Sequence, residues 1–245
     1  MIYEIAGIRI KIQNEYPYTT RFCAAYLSQD QTSAWDITAV VSEKEIAEEK
    51  EHSPNFSVGY LENICLYRNI CLQLPAYNRI LLHAAVLEYD GAAYAFLGRS
   101  GTGKSTHTGL WLQALQGAKI VNGDKPILEV GQECVIAYGT PWMGKEGRGC
   151  NTKAPLKGLC FLEQAKENSI RPLALSEVTS RLFLQLLIPT EEEAAAKTLE
   201  LADRLIMDVP AWLLRCDISE EAVRCSFEAM TKKYFDEEKR KHYED

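Results

Sequence analysis

A short run of glycines, hydroxyl residues and one lysine near the middle of the chain has the composition and spacing of a phosphate-binding loop. The run fits the pattern G-x-x-x-x-G-K-[ST], in which glycines let successive backbone N–H groups point at one polyphosphate. The positive end of a following helix adds to that attraction. We expect the loop to bind ATP through Gly98, Arg99, Ser100, Gly101, Thr102, Gly103, Lys104, Ser105 and Thr106.

The last two positions of the pattern carry the most specific chemistry. The ammonium of Lys104 can reach the β and γ phosphates, and the hydroxyl of Ser105 can ligate Mg²⁺. The required context is also predicted, with an apolar strand before the loop and a helix over about residues 103–115 after it. The competing interpretation is a chance turn rich in glycine, serine and threonine.

Two further polar residues adjoin apolar strands that should lie close to this loop. His83, within "LLHAAV", is predicted on the first strand of a hairpin whose second strand leads into the loop, although a lone histidine there can also be a buried core residue. Asp124 follows the apolar strand "AKIVN" and could hold Mg²⁺ or accept a proton from an attacking hydroxyl. Its other interpretation is an ordinary turn aspartate after a glycine.

A glycine-rich segment over residues 140–155 contains a third set of charged groups. Glu146 could be a second metal ligand there, and Lys145 and Arg148 could meet phosphate. An ordinary solvated loop explains the same composition.

Periodicity and turn residues predict the elements that must position these groups. Asp90-Gly91 predicts the turn of the hairpin, and Ser42 with Glu45 predicts a capping box that opens an acidic helix. A helix over residues 57–74 should bury Val58, Leu61, Cys65 and Leu72. Further strands are predicted at "YEIAGIRIKI", "RFCAAYL", "ITAVVS", "KPILEV", "CVIAYG", "LKGLCFLEQ" and "PAWLLRCD", and further helices over residues 176–187, 190–207 and 219–235.

Composition limits the classes of protein to consider. Hydrophobic residues make up 47% of the 245 residues, which is enough for one large domain or two small ones. The net charge of -7 argues against a general nucleic-acid binder. The alternating N-terminus does not resemble a signal peptide, and no apolar run is long enough to span a bilayer, so we expect a cytoplasmic protein without a membrane segment. The eight cysteines are scattered, and we expect free thiols rather than a zinc site.

Together, the loop, the preceding histidine and the following aspartate resemble the catalytic domain of HPr kinase/phosphorylase, which shares its P-loop fold with phosphoenolpyruvate carboxykinase. The resemblance is clearest over residues 81–130 and continues more weakly through the terminal helix. It implies an α/β fold with a mixed β-sheet core flanked by helices, and it gives Asp124 the role of general base and His83 a place at the phosphate. Gly123 stands where the family has a first acidic residue.

The resemblance implies the remaining site residues less directly. Glu146 corresponds to a metal-binding glutamate, so the implied metal ligands are Ser105, Asp124 and Glu146. The family's late catalytic arginine corresponds to Arg181, with Arg148 as the alternative.

The implied activity is a Mg-ATP-dependent kinase that phosphorylates a hydroxyl, with serine in a peptide or protein as the expected acceptor. The implied organisation is an N-terminal unit over residues 1–78, a P-loop unit over 79–235 and a charged, solvated tail over 236–245. A homo-oligomer is left open. Two other functions are also open: a nucleotide-binding regulatory protein without turnover, and a small-molecule kinase or carboxykinase-like enzyme, for which the chain is short.

Overall fold

Twelve strands and eight α-helices occur in residues 1–244, the part of the chain that the computed structural model describes. The strands are β1 (Ile2–Ile5), β2 (Ile8–Gln13), β3 (Ile37–Val40), β4 (Arg79–Leu81), β5 (Ala84–Tyr89), β6 (Ala92–Leu97), β7 (Lys119–Asn122), β8 (Ile127–Val130), β9 (Val135–Tyr138), β10 (Lys153–Gln164), β11 (Ser169–Pro172) and β12 (Ala211–Cys216). The helices are α1 (Pro17–Phe22), α2 (Glu43–His52), α3 (Val58–Gln73), α4 (Lys104–Ala114), α5 (Leu175–Leu182), α6 (Glu192–Asp208), α7 (Glu220–Thr231) and α8 (Phe235–Glu244).

Nine of the strands form one mixed sheet through the long strand β10. The first part of β10 pairs antiparallel with β9, which continues to β8 and β4. The rest of β10 lies between β6 and β12, parallel to both. On the far side of β6 lie β5 and then β7, each antiparallel to its predecessor, and β11 lies beyond β12. The predicted mixed sheet flanked by helices is therefore present.

The hairpin of β5 and β6 forms because Asp90 and Gly91 adopt the left-handed conformation that its two-residue turn needs. Their φ angles are +52° and +74°, and this kind of turn matches the twist of the flanking strands. The register pairs Tyr89 with Ala92 at the turn and Ala84 with Leu97 at the open end. The hairpin thus ends where the predicted phosphate-binding loop begins.

The central strands are buried on both faces, which explains their nearly continuous apolar sequences. In β6, Ala95 and Leu97 enter one hydrophobic cluster, whereas Tyr94 and Phe96 enter a second on the opposite face. Helices α5 and α6 contribute to the first cluster, and α4 and α7 to the second. The sheet therefore has little freedom to move relative to α4, the helix that follows the loop.

The N-terminal strands form a separate three-stranded sheet, with β2 between antiparallel β1 and parallel β3. This sheet packs with α3 in a third hydrophobic cluster, which also includes Leu81, Ile127, Tyr138 and Trp142 from the region around the large sheet. The N-terminal residues are thus joined to the rest of the fold by a continuous core.

Two local predictions for the N-terminal region are wrong. Residues 21–27 are not a strand, because Pro17 starts helix α1 and a 3-10 turn follows at Ala24–Tyr26. Helix α3 has the predicted span, but Val58 and Leu72 are exposed while Glu62 and Asn63 are buried. The buried face is rotated because these two polar residues bond to neighbouring segments: Glu62 accepts from the N–H of Glu15 at 2.6 Å.

The charged C-terminal segment is not simply solvated. Residues up to Glu244 form α8, which begins at the fully buried Phe235, and Asp236 pairs with Arg224 at 2.7 Å. Tyr89 donates a 2.7 Å hydrogen bond to Glu238. The aromatic anchor and these polar contacts hold the start of the helix on the core. Residue 245 lies outside the described residues.

Other expectations from composition agree with the structure. All eight cysteines are free, and five of them are buried. Within residues 1–244, no helix combines the length and the apolar character that crossing a bilayer requires.

Helix α4 is fixed to α7 by a buried polar cluster centred on Ser226. The Ser226 hydroxyl donates to the carbonyl of Val223 at 3.0 Å and accepts from Trp111 Nε1 at 2.9 Å. It is also 2.9 Å from His107 Nε2, and with the Ser226 hydrogen directed at Val223 this ring nitrogen is the donor. His107 Nδ1 has no hydrogen-bond partner among the described residues. Burial without a charged partner lowers the pKa of His107 from 6.5 to about 4.

This pKa predicts a specific loss of stability in mild acid. Between about pH 6.5 and 4 the unfolded chain binds a proton at His107 that the folded chain does not. The free energy of unfolding should therefore fall as the pH falls through this window, by about 3 kcal/mol in total. His107→Gln retains a donor for Ser226 but cannot titrate, so urea unfolding of both proteins from pH 7.5 to 4 isolates the effect. If the free energy of unfolding of the wild type and of His107→Gln changes equally with pH, then His107 is not protected from protonation in the folded protein.

Candidate functional site

The predicted phosphate-binding loop connects the end of β6 to the start of α4. Gly101 and Gly103 have φ angles of +83° and +101°, in the left-handed region where a side chain would be strained. The N–H of His107 bonds to the carbonyl of Gly103 at 2.8 Å, so the helical pattern begins directly after the last glycine. The first N–H groups of α4 are consequently directed toward the loop.

Lys104, the first residue of α4, is a nearly buried cation. It is 8% exposed, and its ammonium donates to the carbonyls of Gly98 at 2.8 Å and Arg99 at 3.4 Å. Burial lowers the pKa of Lys104, and the charge of Asp124 opposes that shift. The ammonium is therefore held inside the loop by neutral acceptors that phosphate oxygens could replace with stronger, charge-assisted contacts.

The strand directions bring three predicted site residues to one edge of the sheet. Strand β6 ends at the loop, and β7, which runs in the same direction, ends just before Asp124. Strand β5 runs the opposite way, so the residue that precedes it, His83, lies at the same edge. The sequence predicts His83 on the first strand of the hairpin. In the structure it lies instead in the break between β4 and β5.

His83 and Asp124 are in direct contact. His83 Nε2 lies 3.2 Å from Asp124 Oδ1, and the Ala84 N–H donates to the Asp124 carbonyl at 3.1 Å. Lys125 Nζ lies 3.9 Å from the same carboxylate oxygen. Partial burial would raise the pKa of Asp124, but the hydrogen bond from His83 and the charges of Lys125, His83 and Lys104 outweigh it and lower that pKa. Asp124 is therefore ionised at neutral pH and can accept a proton.

A cavity of about 410 Å³ brings most of the predicted site residues together. Its wall includes His83, Ser100, Gly101, Gly103, Lys104, Ser105, Thr106, Asp124, Glu146 and Arg148. The remaining predicted residues lie elsewhere: Gly98, Arg99, Thr102 and Arg181 line a second cavity of about 270 Å³. Arg181 forms a 2.8 Å ion pair with Glu163 there. Of the two candidate arginines, Arg148 is therefore the one that shares a cavity with Lys104 and Asp124.

Asn122 positions Asp124, and sequence reasoning missed it. Asn122 is fully buried, and its Oδ1 accepts from the N–H groups of Asp124 at 2.9 Å and Lys125 at 2.7 Å. Its Nδ2 donates to the Thr140 hydroxyl at 3.0 Å. An asparagine side chain often accepts a hydrogen bond from the backbone N–H two residues later and so closes a turn. The sequence "NGD" could therefore have indicated this role for Asn122.

The glycine-rich segment packs directly against the turn that carries Asp124. A Cβ atom on Gly123 would lie 3.0 Å from the carbonyl oxygens of both Met143 and Arg148. A Cβ atom on Gly144 would lie 2.8 Å from Cβ of Asp124. Gly123 therefore allows the segment to approach, and an aspartate in its place would require the backbone of the segment to move.

Trp142 anchors this segment to the N-terminal part of the chain. Its Nε1 donates to Asn63 Oδ1 at 3.2 Å, and its ring packs on that of Tyr67 with 4.6 Å between centroids. Both partners lie on α3. The N-terminal residues thus support one wall of the cavity.

The residues present fit a magnesium-bound polyphosphate. Phosphate groups are bound by the features found here: a buried ammonium, the N-terminus of a helix, and a glycine-rich loop whose backbone N–H groups are accessible. Ser105, Asp124 and Glu146 offer the oxygen ligands that Mg²⁺ prefers. No cluster of three histidine, cysteine, aspartate or glutamate residues suited to a metal ion occurs within the described residues. The protein would therefore supply only some of the ligands of a metal at this site, and phosphate oxygens and water would supply the others.

Comparisons with known proteins add little to this geometry. No protein-family model matches the chain, and no curated protein matches it. Among solved structures, the chain is similar to the Hpr(Ser) kinase/phosphatase from Coxiella burnetii, with 16% sequence identity and a TM-score of 0.36. The similarity covers 67% of this chain and 94% of that one. It is a distant likeness of fold, so the function is inferred from the site itself.

Nucleotide binding should depend on Lys104. Lys104→Ala removes the ammonium held inside the loop and its charge-assisted contacts to phosphate, a loss of roughly 1.5–3 kcal/mol that weakens Mg-ATP binding about tenfold or more. Calorimetric titration measures this directly. Lys119→Ala is the matched control, because Lys119 pairs with Glu88 at 2.8 Å and does not line the cavity. Equal affinities of the two variants and the wild type would contradict the phosphate-binding assignment.

Proposed function

We propose that this protein is a Mg-ATP-dependent kinase that transfers the γ-phosphoryl group to a hydroxyl, with serine in a peptide or protein as the acceptor. The observation that carries the proposal is the contact of Asp124 with His83 at 3.2 Å, in one cavity with Lys104 and Ser105. A phosphate-binding loop alone supports nucleotide binding. An ionised carboxylate beside it supplies the acceptor for the hydroxyl proton.

Each residue has a distinct role in the proposed reaction. Bound Mg-ATP supplies the phosphoryl group and an ion that neutralises its charge. Lys104 would bind the terminal phosphates, and the Ser105 hydroxyl would be a ligand of the metal. Asp124 orients the acceptor hydroxyl and takes its proton, while His83 donates to Oδ1 of Asp124 and leaves Oδ2 available. Positioning and electrostatics of this kind account for most of the catalysis of phosphoryl transfer.

The choice of a serine acceptor rests on the resemblance of residues 81–130 to HPr kinase/phosphorylase. A primary hydroxyl also suits a carboxylate base, because the base needs to accept a proton only as the new bond to phosphorus forms.

A nucleotide-binding regulatory protein without turnover is the second candidate. The tight packing around Gly123 favours it, because that packing leaves Asp124 as the only carboxylate in the turn after β7. Incubation with γ-labelled ATP and a library of serine-containing peptides distinguishes the two candidates. Label transfer to a peptide supports the kinase, and tight ATP binding without transfer supports the regulator.

The role of Asp124 can be separated from nucleotide binding. Asp124→Asn retains size and hydrogen bonding but cannot accept a proton, so we expect phosphotransfer to fall about 10²–10⁴-fold. For a general base, Mg-ATP affinity should change far less, because Lys104 and the loop remain. A parallel fall in affinity and phosphotransfer would instead make Asp124 chiefly a metal ligand. The two quantities are measured by product mass spectrometry and by titration, with Glu146→Gln as the parallel variant for a pure metal ligand. Full activity of Asp124→Asn would remove the base from this mechanism.

The contact between Gly144 and Asp124 predicts a second effect on phosphotransfer. Gly144 has a φ angle of +77°, and alanine there would both strain the backbone and push on Asp124. Gly147 has a φ angle of +60° but open space around its Cβ position, so Gly147→Ala carries the strain without the contact. We expect Gly144→Ala to reduce phosphotransfer about tenfold or more, through misplacement of Asp124 by a fraction of an ångström. Equal rates in the two variants would show that this contact does not position Asp124.

A further inference from the structure

Gln185 is a buried polar residue on the side of His83 away from Asp124. It is 7% exposed and ends the 3-10 turn that follows α5. Its carbonyl accepts from the His83 N–H at 2.8 Å, and the next residue, Leu186, pairs with Leu82 in a single β-bridge. The backbone of Gln185 is therefore fixed against His83 before its side chain is considered.

The Gln185 side chain completes this contact in one orientation of its amide. With the nitrogen turned toward the site, it lies 3.2 Å from His83 Nδ1 and 3.3 Å from each of two carbonyl oxygens, those of His83 and Gly98. The opposite orientation places the oxygen against acceptors only. Because an amide nitrogen carries two hydrogens, it can donate to His83 Nδ1 and to one of these two carbonyls at once.

We propose that Gln185 is a positioning residue that fixes the ring of His83. Its amide donates to Nδ1, so the ring hydrogen sits on Nε2 and points at Asp124 Oδ1, which lies 3.2 Å away. The same amide holds the carbonyl of Gly98, the first residue of the phosphate-binding loop and the acceptor of the Lys104 ammonium. The significance of this link for catalysis rests on the proposed kinase function, whereas the contact itself does not.

Nitrogen NMR of the histidine rings tests the contact without any substrate. The chain has four histidines, and the signals of His83 are assigned by their loss in His83→Gln. In alkaline buffer, with the histidine rings neutral, the wild type should show hydrogen on Nε2 of His83 and a hydrogen-bonded, unprotonated Nδ1. Gln185→Met should remove the hydrogen bond at Nδ1. Gln185→Glu, which can only accept, should draw a proton onto Nδ1.

A matched control and a kinetic measurement complete the test. Gln164 donates to the loop carbonyl of Gly101 at 3.1 Å but does not contact His83, so Gln164→Met should leave the His83 signals unchanged. Gln185→Met should lower kcat about tenfold or more, because a misplaced His83 no longer holds Asp124 in its productive position, with little change in the KM for ATP. Unchanged His83 signals in both Gln185 variants overturn the proposal. If the His83 signals behave as expected but the protein transfers no phosphate, the contact of Gln185 with His83 is supported and only the proposed kinase function is overturned.

Discussion

The whole site depends on one constraint, the antiparallel placement of β5 between β6 and β7. Because β5 runs opposite to both neighbours, its beginning lies beside their ends. The residue before β5 is His83, the residues after β6 form the phosphate-binding loop, and Asp124 follows β7. Three separate positions in the sequence therefore line one cavity, and His83 and Asp124 are in direct contact. A parallel β5 would place His83 at the opposite edge, a full strand length away.

The second requirement is a wall that closes the site opposite the loop. The glycine-rich segment supplies it, and the N-terminal residues hold that segment through Trp142 and α3. The approach is close enough that neither Gly123 nor Gly144 has space for a side chain. A second carboxylate at Gly123 would therefore require the backbone around Met143 and Arg148 to move away. Within the proposed mechanism, the task of accepting a proton thus falls to one carboxylate, and any metal must rely more on phosphate oxygens.

The sequence predicts the loop, the hairpin and Asp124 because their signals are local. The pattern from Gly98 to Ser105, the turn at Asp90-Gly91 and the capping box at Ser42 each need only neighbouring residues to form. Contacts with distant segments decide which face of α3 is buried and where helix α1 forms, and the sequence predicts both of these incorrectly. Asn122 and Gln185 were missed because a buried amide gains its role only from partners that the fold brings to it.

These two amides also explain how a site built from loops can hold its geometry. Asn122 uses its oxygen to close the turn that carries Asp124 and its nitrogen to hold Thr140, where the glycine-rich segment begins. Gln185 contacts the opposite side of His83 and reaches Gly98. A carboxamide suits both places, because it is neutral and can donate and accept within one rigid plane. A charged residue in either position would compete with Lys104 and Asp124 for partners, whereas an amide orients them and leaves their charges available to the phosphate and the acceptor.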